Sequence, residues 1–529
     1  MNVAEALASA VQHYRSGRLA EAEALCRQII AVQPQHADAL HLLGVIAHQT
    51  RHYEPAAKLI GRAIALNGDV AQYHNSLGNA LLALQRNPEA MQSYRRAIEL
   101  DPTLAVAHYG LGQIEYANKD YADAAKSFHA AVSHAPNMAQ AHAHLANALF
   151  QMGRLEEAVD SYRRALALNP SDATSHSNLG LALQDLGLVD EGIEHCQRAI
   201  ALQPDFAAAH NHLGLALLLK GDLEAGLPQH EWRWHVRDLR MGGRRVDQPA
   251  WRGEPLNGCR ILLHAEQGAG DTLQFLRYAP LVAARGGRVL IEVAPELKRL
   301  AMSLKGVEQV IGLGEALPAF DQHCPLLSLP LAFGTTMASI PSEVPYLAAP
   351  EPLQADWRAR LAASARPRVG LIWAGRPEHR RDRERSIALA ALGPLAATGA
   401  TFYSLQKGPA AEQAKTPPPG MVLHDLAEAL GDFADTAAAM SALDLVIAVD
   451  TSPAHVAGAI GKPVWVLLAH APDWRWFLDR EDSPWYPTAR LFRQTTRGDW
   501  ASVIARVAAQ LQRYMAGDPA ALAPPNGSN

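Results

Sequence analysis

The sequence predicts an α-solenoid followed by a pair of α/β layers, and three observations carry that expectation. Proline, glycine and alanine recur through the first half on separate lattices of one period, 34 residues, the spacing of Pro102, Pro136 and Pro170. All 10 tryptophans lie at or after Trp232, so the composition changes there. From Arg260 onward, short apolar runs alternate with helical patterns, the grammar of a parallel sheet covered by helices.

Length and charge bound the rest. A chain of 529 residues holds three or four domains at roughly 100–200 residues each. The 48 Lys and Arg against 53 Asp and Glu leave a net charge of −5, which argues against a general nucleic-acid binder. Cys26, Cys196, Cys259 and Cys324 are scattered without a CxxC pair, so neither a disulfide framework nor a zinc knuckle is expected. The opening MNVAEALASAVQHYRSGRLAEAEAL lacks the basic and apolar regions of a secretory signal, and no run of about 18 uncharged apolar residues follows. The expectation is a soluble cytoplasmic protein with no membrane span.

Residues 1–240 are expected to form the solenoid. Pro34, Pro102, Pro136, Pro170 and Pro204 share one lattice, with Gly68 in the empty site. Gly44, Gly78, Gly112, Gly180 and Gly214 make a second, with Ala146 as substitute. Ala56, Ala90, Ala124 and Ala158 make a third, continued by Gly192 and Gly226. Each unit holds two apolar-periodic stretches, such as HNSLGNALLAL and PEAMQSYRRAIEL, read as helix A and helix B. Small lattice residues allow close approach, and the proline, lacking an amide donor, ends helix B. This unit is similar to the tetratricopeptide repeat over roughly residues 3–236, six full units and a seventh pair.

Such arrays present a concave groove lined mainly by the A helices. Counting from the glycine lattice places His74, His108, His142, His176 and His210 in one column and His41, Asn75, Tyr109, Ala143, Ser177 and Asn211 in the next. Asn79, Gln113 and Asn147 follow one residue after the lattice site. The expected acceptor groove is therefore Asn75, Asn79, Tyr109, Gln113, His142, Asn147 and Asn211, whose amides and imidazole suit an extended peptide backbone. The alternative is that these positions are solvated, or that the histidine column packs between repeats. Shared metal ligation is not expected, because copies one repeat apart lie too far from each other.

Residues 241–259 read as a connector and the stretch 517–529 as a disordered tail. Between them, ILLHAE, GRVLIEVA, VEQVIGL and HCPLLSLPL suggest one Rossmann-like half over 260–350. PRVGLIWAG, TFYSLQKG, DLVIAVDTS and PVWVLLA, closed by the helix SVIARVAAQLQRYM, suggest a second over 351–516. Two such halves imply a cleft beyond the carboxyl ends of their strands.

Two loops carry chemistry. Gly268-Ala269-Gly270-Asp271 lacks the third glycine of a dinucleotide fingerprint, since Leu273 stands there, so a plain NAD site is rejected. Two roles are open to Asp271: capping its helix through backbone amides, or taking a proton from an acceptor hydroxyl. His264 and Glu266, at the end of the same strand, are rival bases. In DLVIAVDTSPAHVAGAIGKP a buried strand ends at Asp450, and Thr451, Ser452 and Pro453 open a helix with His455 in its first turn. That helix start favours an anionic group such as a diphosphate. Its other reading is an ordinary N-cap by Thr451 or Ser452. Gly461-Lys462 is no phosphate loop, because Pro463 follows and Val456 stands where glycine is needed.

ILLHAEQGAGDTLQF together with DTSPAHVAGAIGKP resembles the heptosyltransferase-type glycosyltransferases of family 9, which have the GT-B fold; Ser452 stands where that family has glycine. The resemblance covers roughly residues 260–512. It implies that Asp271 is the catalytic base and that Asp450, Thr451, Ser452 and His455 hold the donor phosphates. It further implies a phosphate-neutralising cation among Arg376, Arg380, Arg381 and Arg385, with Arg385 first and Lys407 second. Repeats ahead of such a pair resemble bacterial protein glycosyltransferases, including those that modify flagellin. That layout implies a nucleotide-sugar co-substrate and a protein acceptor, flagellin or another surface protein. No two aspartates are separated by a single residue, so a metal-holding DxD pair is absent and no metal cofactor is expected. Trp474, Trp476, Trp485 and Tyr486 either stack on sugar or base, or pack an interdomain surface. The rivals are a non-catalytic scaffold with a degenerate transferase domain, and a heptosyltransferase acting on a glycolipid or polysaccharide.

Overall fold

A computed structural model describes residues 2–236, 246–379 and 381–524; Arg380, residues 241–245 of the expected connector, and the tail residues 525–529 lie outside the described residues. The chain divides into two compact units, residues 1–185 with 198–204 and residues 186–197 with 205–529.

The first unit is a tetratricopeptide-repeat α-solenoid. Its A helices, Val3–Arg15, Ala37–Gln49, Ala71–Ala83, Ala105–Ala117, Ala139–Gln151 and Ala173–Asp185, are 13 residues each. The B helices Leu19–Val32, Tyr53–Leu66, Asn87–Leu100, Tyr121–His134 and Leu155–Leu168 are 14 each. Each B helix stops two residues before this lattice, before Gly68 as before the prolines, which lack the donor to extend it. The glycine lattice has a specific cause. A Cβ on Gly44 would lie 2.5 Å from the Ile60 side chain, on Gly78 2.6 Å from Tyr94, and on Gly112 2.8 Å from Phe128. A bulky residue of helix B thus rests directly on the backbone of helix A. Ala56, Ala90, Ala124 and Ala158 are wholly buried beside it.

A fourth lattice lies in the turns within each repeat. Gly17, Arg51, Gln85, Lys119 and Gly153 each take positive φ, between 60° and 75°, in the turn joining helix A to helix B. Glycine suits this left-handed turn, and the three larger residues there are strained by about 1 kcal/mol each.

The second unit opens with helical repeat segments, including the pair Ala207–Lys220 and Leu223–His230, and continues into a short 3-10 turn, Glu231–His235. Two parallel sheets follow. The first has strands β1 (Arg260–His264), β2 (Arg288–Val293), β3 (Val307–Gly312) and β4 (Gln322–Pro325) in the order β3-β2-β1-β4. The second has β5 (Arg368–Ile372), β6 (Thr401–Ser404), β7 (Val422–Asp425), β8 (Leu445–Val449), β9 (Val464–Leu468) and β10 (Ala489–Arg493) in the order β10-β9-β8-β5-β6-β7. Within them Leu263 pairs with Ile291 and Leu371 with Ile447. Strands β5, β8 and β9 are buried at every residue, which is why they read as unbroken apolar runs. The run HCPLLSLPL gives only the short β4, because Leu326–Ala332 coils into helical turns with Pro330 at a helix start. The stretch after β1 splits at Pro280 into the helices Ala269–Phe275 and Ala279–Ala284. Among the described residues no helix is long and apolar enough to cross a membrane.

Candidate functional site

The turns that leave β1, β5, β6, β8 and β9 at their carboxyl ends surround one cavity of about 1060 Å³ in the second unit. Its lining includes Asp271, Arg376, His379, Arg381, Arg385, Lys407, Asp450, Thr451, Ser452, His455, Asp473 and Arg475. The structure therefore gathers Asp271, Arg385, Lys407, Asp450, Thr451, Ser452 and His455 into one space. Gly270 makes this possible: a Cβ there would lie 2.9 Å from His455 Cδ2, so the helices Ala269–Phe275 and Ser452–Ala459 cross in contact.

Asp271 is not a lone acid. Its Oδ2 accepts the Gly268 amide at 2.9 Å, the capping geometry, while Oδ1 accepts a hydrogen bond from Arg475. Arg475 donates its other terminal nitrogen to Asp473 Oδ1 at 2.7 Å. Burial raises the Asp271 carboxyl above its usual range and Arg475 opposes that rise. For Asp473 burial pulls upward as well, yet the Arg475 charge and hydrogen bonds outweigh it and hold the carboxyl low. Asp450 receives Trp476 Nε1 at 2.8 Å and is pushed up to about 6 by burial and by the Asp473 charge.

No side chain caps the helix Ser452–Ala459. Thr451 occupies the N-cap, but its hydroxyl donates backwards to the Val449 carbonyl at 3.2 Å. The ordinary N-cap open to Thr451 and Ser452 is thus absent; Thr451, Ser452, Pro453 and His455 line the cavity, and the Ala454 amide donates to the Thr451 carbonyl at 2.9 Å. His455 packs its Nδ1 against the Tyr486 hydroxyl at 3.0 Å and stacks on Trp476 at 5.3 Å; burial lowers it to about 3, so it is neutral. Arg385 donates to the Asp450 carbonyl at 3.0 Å and to Asp382 at 3.3 Å. Lys407 donates to the carbonyls of Ala427 at 3.0 Å and Leu430 at 2.6 Å.

Two expectations need correction. His264 and Glu266 do not line the cavity. Glu266 turns into a fully buried pair with Arg233 at 2.7 Å, and His264 Nε2 meets His323 Nδ1 at 3.0 Å. Burial, against the opposing Arg233 charge, pushes Glu266 up to about 7, while burial, with the His323 and Arg233 charges adding to it, lowers His264 to about 4. Of the two roles open to the aromatic segment, packing is the one observed: Trp474, Trp476, Trp485 and Tyr486 are all buried in the core, against one another and against Phe275 and His455. Arg475 and Asp473 were overlooked inside that same segment. The signal was an arginine between two tryptophans, W-R-W, where a solvated charge has no place. Arg277 was missed too; it is buried with its guanidinium 4.5 Å from the Tyr486 ring and 4.7 Å from Tyr346.

The solenoid residues divide. His74, His108 and His142 donate Nε2 to the carbonyls of Gly68, Pro102 and Pro136, each at 2.9 Å, and His176 does so to Pro170 at 3.2 Å. The column closes the turn from one repeat to the next, so His142, which is buried, leaves the groove set. Asn75 is buried, and Asn211, in the second unit, accepts from His230 at 3.1 Å, a buried contact. Asn79 accepts the Tyr94 hydroxyl at 2.7 Å and Asn147 the Tyr162 hydroxyl at 2.5 Å, two repeats apart, while Gln113 donates to the Tyr109 hydroxyl at 3.2 Å. Asn79 is exposed; Tyr109, Gln113 and Asn147 are half-buried. No group of three His, Cys, Asp or Glu residues able to hold a metal occurs among the described residues.

Comparison with known proteins bears on the first half most directly. Models of the tetratricopeptide repeat match residues 13–80, 78–119, 105–138, 146–187 and 177–231. Protein FlbA of Caulobacter vibrioides is 27% identical over 322 residues, covering 54% of this chain and 52% of its own length. The chain thus spans about half the length of that curated relative. Among solved structures, YrrB, a TPR protein with an unusual peptide-binding site, is 23% identical over 34% of this chain and 93% of its own, with a TM-score of 0.32. PilF of Pseudomonas aeruginosa is 20% identical over 40% and 97%, with a TM-score of 0.37. The chain carries an N-terminal tetratricopeptide-repeat α-solenoid and, after it in sequence, an α/β region of two parallel sheets.

Proposed function

We propose that the protein is a metal-independent glycosyltransferase that moves a sugar from a nucleotide-sugar to a hydroxyl of a protein held by the repeat groove. The observation that carries this reading is one cavity shared by two strand-end turns from two parallel sheets. One turn brings Asp271, and the other brings the uncapped helix start Thr451–His455, with five cationic side chains around them. Numbered from its own first strand, the second sheet runs 6-5-4-1-2-3, the order of dinucleotide-binding Rossmann sheets, and the first runs 3-2-1-4. Both are consistent with a GT-B pair and with the motif resemblance around Asp450 and His455.

The chemistry follows from the placement. Asp271 accepts the acceptor's hydroxyl proton while that oxygen bonds to the sugar's anomeric carbon. The bond from that carbon to the donor phosphate breaks, and the helix-start amides and a cation stabilise the departing diphosphate. In the solenoid, Asn79, Tyr109, Gln113 and Asn147 are the residues left to meet an acceptor chain.

A second reading, a non-catalytic scaffold, draws on the engagement of both Asp271 oxygens. Turnover of a nucleotide-sugar panel by the full chain separates the two. The transferase reading expects one donor to be consumed, and Asp271→Asn to lower that rate about a thousandfold with the melting temperature kept. No turnover of any donor favours the scaffold, and equal turnover by Asp271→Asn removes Asp271 from the mechanism.

A further inference from the structure

We infer that Arg475 is the cation that receives the donor diphosphate, and that in doing so it lets go of Asp271, so the base is freed only after the donor is bound. This rests on the transferase reading and adds to it a residue and an order of binding.

Of the other cavity cations Arg376 is exposed, and three are held by partners an anion does not readily displace. Arg385 and Lys407 are anchored to backbone carbonyls, as is Arg381, which donates to the Ala471 carbonyl. Arg475 differs. Its terminal nitrogens meet only the carboxylates of Asp271 and Asp473, and its Nε is buried with no hydrogen-bond partner. The side chain is 7% exposed, lines the cavity, and lies 4.6 Å from the Trp474 ring and 5.6 Å from the Phe275 ring. A buried guanidinium that borders an open cavity and is bonded to side-chain carboxylates is a site at which a diphosphate replaces like with like.

The exchange solves a problem in the chemistry. A carboxylate paired with arginine is a poor base, because losing its charge to a proton also loses the pair. Transfer of Arg475 to the diphosphate leaves Asp271 held only by the Gly268 amide, with Oδ1 open to the acceptor hydroxyl. The proton then passes to Oδ1, the hydroxyl oxygen bonds to the anomeric carbon, and the leaving diphosphate takes the electron pair of the broken bond next to Arg475.

Calorimetric titration of the full chain with inorganic pyrophosphate tests this. Arg475→Gln should weaken binding about tenfold or more, whereas Arg475→Lys should retain part of it. Asp271→Asn should tighten binding several-fold, since it removes the carboxylate that competes for Arg475. A purely structural arginine does not produce that gain. If Arg475→Gln does not fold, Arg475→Lys and the isosteric Asp271→Asn decide. Unchanged or weaker binding in Asp271→Asn, or full affinity in the Arg475 variants, overturns the inference. A wild-type chain that turns over a donor while giving that result keeps the transferase reading; one that neither binds pyrophosphate nor turns over any donor loses both.

Discussion

The solenoid and the cavity use polar side chains in opposite ways. In the solenoid a polar contact is repeated: the histidine of one repeat closes onto the carbonyl six residues earlier, and the next repeat does the same. Asn79 with Tyr94 recurs as Asn147 with Tyr162. Around the cavity nothing repeats. Asp271, Asp450, Asp473 and Arg475 come from three different strand ends and meet once. Repetition signals a structural duty that each unit must discharge for itself. Convergence of unlike segments on strained protonation states signals a site.

The largest expected effect in the second unit is on the pH dependence of stability. Burial lowers His264 to about 4 and His455 to about 3 from an ordinary 6.5, so the folded chain binds fewer protons than the unfolded one as the medium is acidified. Their contribution is intact above pH 6.5 and is lost as pH falls towards the folded values. Glu266, pushed up to about 7, works in the other direction between pH 4.5 and 7. His264→Gln should therefore flatten the fall in stability between pH 6.5 and 4 by about 3 kcal/mol, read from denaturant midpoints. A slope identical to wild type would show that the imidazole is not held neutral.

In the solenoid, the largest effect belongs to the glycine lattice. Gly78→Val drives two methyl groups at a Tyr94 ring already only 2.6 Å from a Cβ, and should cost about 3 kcal/mol. Gly78→Ala should cost less, because Ala146 and Tyr162 already coexist two repeats later. Smaller still is the histidine closure: His142→Ala leaves the Pro136 carbonyl without its donor and should cost about 1 kcal/mol. If His142→Ala instead weakens binding of an acceptor protein with stability unchanged, the residue belongs to the groove after all. Lys119→Gly relieves a φ of 68° and should raise stability by about 1 kcal/mol, a gain visible as a higher melting temperature.

Much of this architecture was legible because repetition amplifies weak signals. One proline says little, but five on one lattice fix a helix-pair boundary and its period. The same lattice misled at the histidines: it displayed the column but gave no view of the carbonyl each one meets. Strands β7 and β10 were missed for a plainer reason. VLHD is a short edge strand, half polar and largely exposed, and ARLFR is interrupted by Arg490 and Arg493. In the cavity, DTSPAH and GAGD declared themselves by local pattern, whereas Arg475 acts through Asp271, 204 residues away in sequence, and no local pattern records that distance. Glu266 was misplaced because it pairs with Arg233, and His264 because it meets His323 on β4, partners that only the fold reveals.

The transferase reading requires that the turns at 268–272 and 450–456 hold one ligand between them. Hydrogen exchange on the full chain, with and without a panel of nucleoside diphosphates and nucleotide-sugars, decides whether they do. At least one ligand should slow exchange in both segments together, at a single saturating concentration. Protection confined to the repeats, or to one of the two turns alone, would contradict it.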